Sequence, residues 1–216
     1  MIEQFEKLPA CKQNKILDAC FREFGQKGYQ RASTNTIVNQ AGIPKGTLFY
    51  FFGNKKQLFL YLVDYAVGKY VKFVDRFMDD LPPDLFDRLL FMVQVRMKFA
   101  ALAPQLYRFL FKALLNIPDS IQADMQDRFK VYAEGNQKFM REGLDTSRLR
   151  ADVSVEQVME LLSYIMDGLL TRHTDKFTGM DAGQSLKYVE GLLEQSQRYF
   201  EFVKRGVYTE KVVGIS

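Results

Sequence analysis

Apolar residues in this 216-residue chain return at helical spacing almost throughout, and the rhythm is interrupted by glycine and proline rather than by turn pairs between strands. Ile16, Leu17, Cys20, Phe21 and Phe24 stand at i, i+1, i+4, i+5 and i+8, one face of a helix that stops at Gly25–Gly28. No convincing stretch alternates β-branched and polar residues, so the expected fold class is all-α, with about nine helices.

Two very short helices follow the first. Ser33 or Thr34 is a natural N-cap for TNTIVNQA, which turns Ile37, Val38 and Ala41 inward, and Gly42 supplies a permissive backbone for a tight turn. Pro44 suits the first turn of KGTLFYFF, where its missing N–H has no intrahelical partner, and Gly53 closes that helix. Asn54 with Gln57 resembles a capping box and opens a long helix from about Lys55 to Met78, stopped by Pro82–Pro83. Further helices are expected at about 84–102, 104–115 and 119–142. Ser154 with Gln157 forms a second capping box. The helix it opens carries Val155, Val158, Leu162, Ile165 and Leu169, and the last helix repeats the rhythm with Leu186, Val189, Leu193, Phe200 and Val203. A 3.5-residue repeat is a seam for packing against another helix, here expected to be the homodimer interface.

Charge is unevenly placed. Residues 1–56 hold nine Lys or Arg against four acidic residues, a net of +5, so the rest of the chain nets −1. A basic end on a near-neutral body fits a polyanionic partner. The apolar runs FLYLV and LLFMVQV break at Asp64 and Arg96, short of the roughly 20 residues a bilayer span needs. The N-terminus lacks the apolar core of a signal peptide, and a cytoplasmic location is expected. Cys11 and Cys20 have neither zinc-ligand nor disulfide spacing and are expected to be free thiols, Cys20 in the core. No metal or cofactor is implied.

Helix, glycine-containing turn, helix and a lysine at the start of a third helix make residues 33–52 with Lys55 a helix-turn-helix. In such a unit the N-terminal end of the second helix reaches base edges in the major groove, while N–H groups and hydroxyls hold phosphates. Lys45 and Thr47 can bond base edges, and Gly46 lets the backbone approach the duplex. Ser33 and Thr34 place hydroxyls and a helix N-terminus beside a phosphate. Tyr50 offers a phenol, and Lys55 a charge.

The segment STNTIVNQAGIPKGTLFYFFGNKKQLF resembles the DNA-binding segment of the TetR family of bacterial transcriptional regulators, and KQNKILDACFREFGQKGYQRAS resembles that family's first helix. The similarity covers roughly residues 10–70, and beyond it only length and helix rhythm match. The resemblance implies a phosphate-contacting hydroxyl at Thr34, a recognition-helix start at Pro44, Lys45, Gly46 and Thr47, an aromatic pair at Phe49 and Tyr50, and a phosphate-contacting lysine at Lys55. Phe49 replaces the usual tyrosine. Phe51 stands where histidine or tyrosine is frequent, and it is counted with the segment presented to DNA.

Residues 71–216 are expected to form a helical ligand-sensing and dimerisation domain. Their Phe and Met content suggests a cavity for a largely apolar effector, lined by Phe73, Phe77, Met92, Phe99 and Phe111, with Arg96, Tyr107 and Arg108 orienting a polar end. His173 is expected to serve a helix C-terminus, and no nucleophile or carboxylate pair at active-site spacing accompanies it, so no catalytic residue is assigned. The expected partners are double-stranded operator DNA, a second copy of the chain and a small-molecule effector. The alternative is a helical ligand-binding or protein-interaction module that has lost DNA reading.

Overall fold

The computed structural model describes residues 2–115, 117–126, 128, 130, 141–173 and 182–209. In chain order the helices are α1 (Ile2–Glu6), α2 (Ala10–Arg31), α3 (Thr34–Ala41), α4 (Lys45–Phe52), α5 (Lys55–Val74), α6 (Leu85–Leu102), α7 (Pro104–Leu115), α8 (Val155–His173) and α9 (Ala182–Val207). The fold is all-α. Among the described residues extended backbone pairs only at an isolated antiparallel bridge, Leu149 with Tyr208. The long helix expected to reach Met78 instead tightens into a 3-10 turn over Asp75–Asp80. The helix expected at 119–142 begins with a 3-10 turn, Asp119–Ile121, and its 131–140 stretch lies outside the described residues.

Contacts divide the chain into two bodies, residues 1–76 with 102–138 and residues 77–101 with 139–216. The sequence division at residue 70 falls inside α5, and α7 belongs to the first body. Phe109 explains that placement: it is buried, and its ring meets Phe21 at 5.2 Å, Phe59 at 5.4 Å and Phe24 at 6.4 Å between centroids. α7 packs on α2 at Gly25, where an added Cβ would make ordinary contact with the Phe109 backbone nitrogen at 3.6 Å. The buried faces of α2, α3, α4 and α5 complete this core. Two ion pairs join α5 to the segment after α7: Lys56 with Asp124 at 2.8 Å, and Arg128 on both carboxylate oxygens of Asp64.

α1 has no counterpart in the sequence expectations. Its single buried residue, Phe5, packs on Phe52, Phe51 and Tyr61 at 4.9, 5.7 and 5.8 Å and closes one end of the core.

The second body is built on Leu85, Phe86, Val158, Leu162, Phe200 and Tyr208, all buried. This corrects three residues of the seam expected to join two subunits, Val158, Leu162 and Phe200. Val158, Leu162 and Phe200 face the core of their own chain, and Ile165 and Val203 pack against it half-buried, with Val155 half-buried as well. An amphipathic stripe records that one helix face is covered and leaves open which chain covers it; here the N-terminal turn of α6 does. The side chains of Leu169, Leu186, Val189 and Leu193 lie outside the described residues, as do those of Phe111 and His173. Ser196, in the polar slot of the rhythm, is buried and returns its hydroxyl to the Leu192 carbonyl at 2.7 Å. The Ser154–Gln157 capping box forms in both directions, at 3.0 and 3.2 Å. Asp84 caps α6 and gathers Arg148, Lys204 and the Tyr208 hydroxyl at 3.2, 3.3 and 3.0 Å.

Candidate nucleic-acid interface

α3 begins because Ser33 holds an extended conformation and its hydroxyl accepts from the Thr36 N–H at 3.4 Å. Its own N–H donates to Glu23 Oε1 at 2.9 Å. Glu23 is 5% exposed, so the N-terminus of α3 is fixed to α2 by a buried carboxylate. Sequence reasoning missed it; the available signal was a carboxylate on the apolar face of a helix, ten residues before an N-cap. α3 ends at Gly42 in the left-handed region (φ 65°), and the Gly42 and Ile43 N–H groups return to Asn39 and Val38. A Cβ at Gly42 would also press on the Lys15 ammonium at 3.2 Å.

Pro44 is extended and precedes α4 as its N-cap rather than standing within the first turn, and its carbonyl accepts from Thr47 at 3.0 Å. α4 then splits cleanly between two faces. Leu48, Phe51 and Phe52 are buried, whereas Pro44, Lys45 and Gly46 are exposed, Thr47 and Phe49 half-buried, and Tyr50 60% exposed. Gly46 has open space around it, so backbone can be approached closely there. The Lys45 ammonium lies 5.9 Å from the Phe49 ring centroid. Phe51 is a correction: at 6% exposed and covered by Phe5 and Phe52, it belongs to the core and does not reach a partner.

Asn54 caps α5 by accepting from the Gln57 N–H at 2.9 Å. Lys55, in the first turn, reaches back to the end of α2: its Nζ donates to the Gln30 carbonyl at 3.0 Å and stands 5.2 Å from the Tyr29 ring centroid. Burial lowers its pKa below the usual lysine value, and the Glu23 carboxylate opposes that shift. One ammonium proton is committed to the fold, and two remain for an anion. Ser33, Thr34 and Lys55 therefore lie around the junction of α2, α3 and α5, and Lys45, Gly46, Thr47 and Tyr50 share the outer face of α4.

The residues expected to line an effector cavity divide between the two bodies. Phe73, Tyr107, Arg108 and Phe111 fall in the first, and Phe77, Met92, Arg96 and Phe99 in the second. Phe73 and Phe99 are buried, Phe77 meets Phe91 edge-on at 6.3 Å, and Met92 packs against the second core. Arg108 is exposed and runs beside Gly25 of α2, a surface position that corrects its expected role inside a cavity. Among the described residues no group of three or more His, Cys, Asp or Glu could hold a metal ion.

The family described as bacterial regulatory proteins, tetR family, matches residues 16–62, and a tetracyclin repressor-like C-terminal domain matches residues 83–207. Over 199 residues the chain is 26% identical to the HTH-type transcriptional repressor AcnR of Corynebacterium efficiens, covering 88% of this chain and 94% of that one. It is also 26% identical to the HTH-type transcriptional repressor Rv1474c of Mycobacterium tuberculosis, with coverage of 88% and 94%. Among solved structures, a TetR family transcriptional regulator from Chloroflexus aurantiacus superposes with a TM-score of 0.65 at 22% identity, covering 96% of this chain and 98% of that one. FadR of Bacillus subtilis, solved in complex with stearoyl-CoA, superposes with a TM-score of 0.64 at 16% identity, covering 85% and 96%. At such identities the superpositions speak for the fold.

Proposed function

The chain belongs to the tetR family of bacterial regulatory proteins and is a DNA-binding transcriptional regulator, and from that premise we propose how it reads DNA. α4 enters the major groove with Pro44, Lys45, Gly46, Thr47 and Tyr50 toward base edges and Phe49 at the groove wall, while Ser33, Thr34 and Lys55 hold phosphates. The observation that carries this assignment is the division of α4: three buried apolar residues anchor the helix, and its other face presents an ammonium, a hydroxyl, a phenol and a bare backbone to solvent. The proposed output is repression, in line with the named repressors it resembles. The partner is double-stranded operator DNA and the location cytoplasmic; no described helix is long and apolar enough to cross a membrane.

A pseudo-palindromic operator calls for a two-fold symmetric reader. The homodimer face we assign replaces the corrected seam: Leu161 and Tyr164 on α8 and Tyr199 and Phe202 on α9 are 45%, 63%, 40% and 71% exposed, an apolar set beside the buried one. The effector is a small, largely apolar molecule bound among the helices after α5, and its chemistry is open to screening. FadR of Bacillus subtilis, of the same fold, holds stearoyl-CoA.

Binding isotherms at several salt concentrations test the contacts. Lys45→Ala should relax preference at one base pair, by about 1–3 kcal/mol where it reads a guanine. Lys55→Met, which keeps the stem over Tyr29, should weaken all sequences alike and flatten the salt slope by about one unit. Equal, sequence-independent losses for both would remove Lys45 from the base-reading set.

A further inference from the structure

The end of α2 is bordered by cations from three helices. Lys27 and Arg31 belong to α2 itself and are exposed. Lys112 comes from α7 and donates to the Gln26 carbonyl at 2.8 Å, and Lys55 comes from α5 and donates to the Gln30 carbonyl. Arg108, one turn before Lys112, lies alongside Gly25. Between them α2 departs from helical geometry at Gly28 (φ 70°, ψ 175°), and an open groove of about 370 Å³ runs along Lys27, Gly28, Tyr29, Gln30, Arg31, Lys112, Ile117 and Pro118. Among the described residues no carboxylate lines it. The nearest on α2, Glu23, is buried and already bonded to the Ser33 N–H.

We propose that this groove seats the phosphodiester backbone of DNA flanking the half-site, so that α7 contributes directly to operator binding. The proposal rests on the assignment of α3 and α4 as the DNA-reading unit. Three features favour a duplex backbone as the occupant. The groove is continuous with the phosphate-holding end of that unit, because Lys55 bonds the backbone of a residue that lines it. It opens to solvent rather than enclosing a cavity, as suits a chain of phosphates better than a sequestered small anion. Its cations have no carboxylate in the lining to balance them, whereas duplex DNA offers a negative charge about every 1.7 Å of axis. Lys112 keeps two ammonium protons after its bond to Gln26. Its residue number falls within the C-terminal family match, so cations of that region would add affinity to a domain whose sequence preference is set by α4.

The test uses the full chain and two duplexes carrying a site selected by the protein itself, one with ten base pairs of flank on each side and one trimmed to the half-sites. Isotherms are measured from 50 to 200 mM salt for wild type, Arg31→Ala and Lys112→Ala. On the flanked duplex each substitution should reduce the salt slope by about 0.9, which makes affinity about 3.5-fold less sensitive to that fourfold salt change, with base preference unchanged. On the trimmed duplex both should match wild type. Lys27→Ala, which touches no bond to the α2 backbone, guards against a packing effect of Lys112→Ala and should repeat the Arg31 result. Wild-type slopes on the flanked duplex, or equal losses on both duplexes, would overturn the proposal. A wild-type protein that selects no site at all would overturn the DNA-reading assignment beneath it instead.

Discussion

Removing the Glu23 carboxylate should loosen α3 by freeing the Ser33 backbone N–H, with every residue placed at the DNA left unsubstituted. Its Oε1 accepts from the Ser33 N–H at 2.9 Å in a site 5% exposed. Glu23→Ala leaves that N–H without its acceptor, at a cost of about 1–3 kcal/mol. It also removes a negative charge from a helix N-terminus, a further ~0.3–1 kcal/mol. We expect a total near 3 kcal/mol, or a fall in Tm of roughly 6–12 °C for a chain of this size. Glu23→Gln keeps a carbonyl acceptor in the same shape and forfeits only the charge assistance, about 1 kcal/mol. Thermal or denaturant unfolding measures the two losses, and amide exchange at Ser33 locates them: the proton should exchange faster in the alanine variant and stay protected in the glutamine variant. Equal destabilisation by Ala and Gln, or two variants within 0.5 kcal/mol of wild type, would refute the claim that the hydrogen bond is what fixes α3.

Phe51→Ala should cost about 3–5 kcal/mol of stability, measured by denaturant unfolding, because a ring covered by Phe5 and Phe52 leaves a cavity; a loss confined to DNA affinity would return Phe51 to the contacts. Phe202→Glu should yield folded monomers in sedimentation, whereas Leu162→Ala should lower subunit stability by about 2–5 kcal/mol with the dimer retained; the reverse pattern would restore the seam. Burial alone would raise the Asp84 pKa, but the Asp87 N–H, the Tyr208 hydroxyl and Lys204 together hold it below the usual 3.8. A depressed folded value means that this stabilisation is present above the unfolded pKa and lost as pH falls through the folded one, so Asp84→Asn should flatten the acid limb of unfolding below about pH 4.

Particular residues show what was legible in the sequence. Ser33, Gly42, Pro44, Gly53 and Asn54 are local devices whose effect depends on their own backbone, and they marked the limits of α3 and α4 and the start of α5 to within a residue or so. The inward set Ile37, Val38 and Ala41 followed from periodicity. Phe51 did not, because at the end of a two-turn helix the buried face is set by what covers it, and the cover comes from Phe5 on a five-residue helix with no repeat to announce it. The same limit explains Val158, Leu162 and Phe200: spacing shows that a stripe is covered but carries no record of which chain covers it. The anchoring bonds of Glu23 and Lys55 were hidden for a related reason, since those to the Ser33 N–H and the Gln30 carbonyl span 10 and 25 residues of sequence. Arg108 was misjudged once α7 was grouped with the helices after residue 70, when Phe109 in fact plants it against α2.

Selection of bound duplexes from a random-sequence pool, followed by footprinting of the winners, tests the central claim most directly. Two copies of α4 reading one face of B-DNA predict enrichment of a pseudo-palindrome whose protected half-sites lie one helical turn apart or a multiple of it, about 34 Å per turn, and a changed consensus with Lys45→Ala or Tyr50→Ala. A pool that stays unenriched, or a consensus indifferent to both substitutions, would contradict the assignment of α4 as the sequence-reading element.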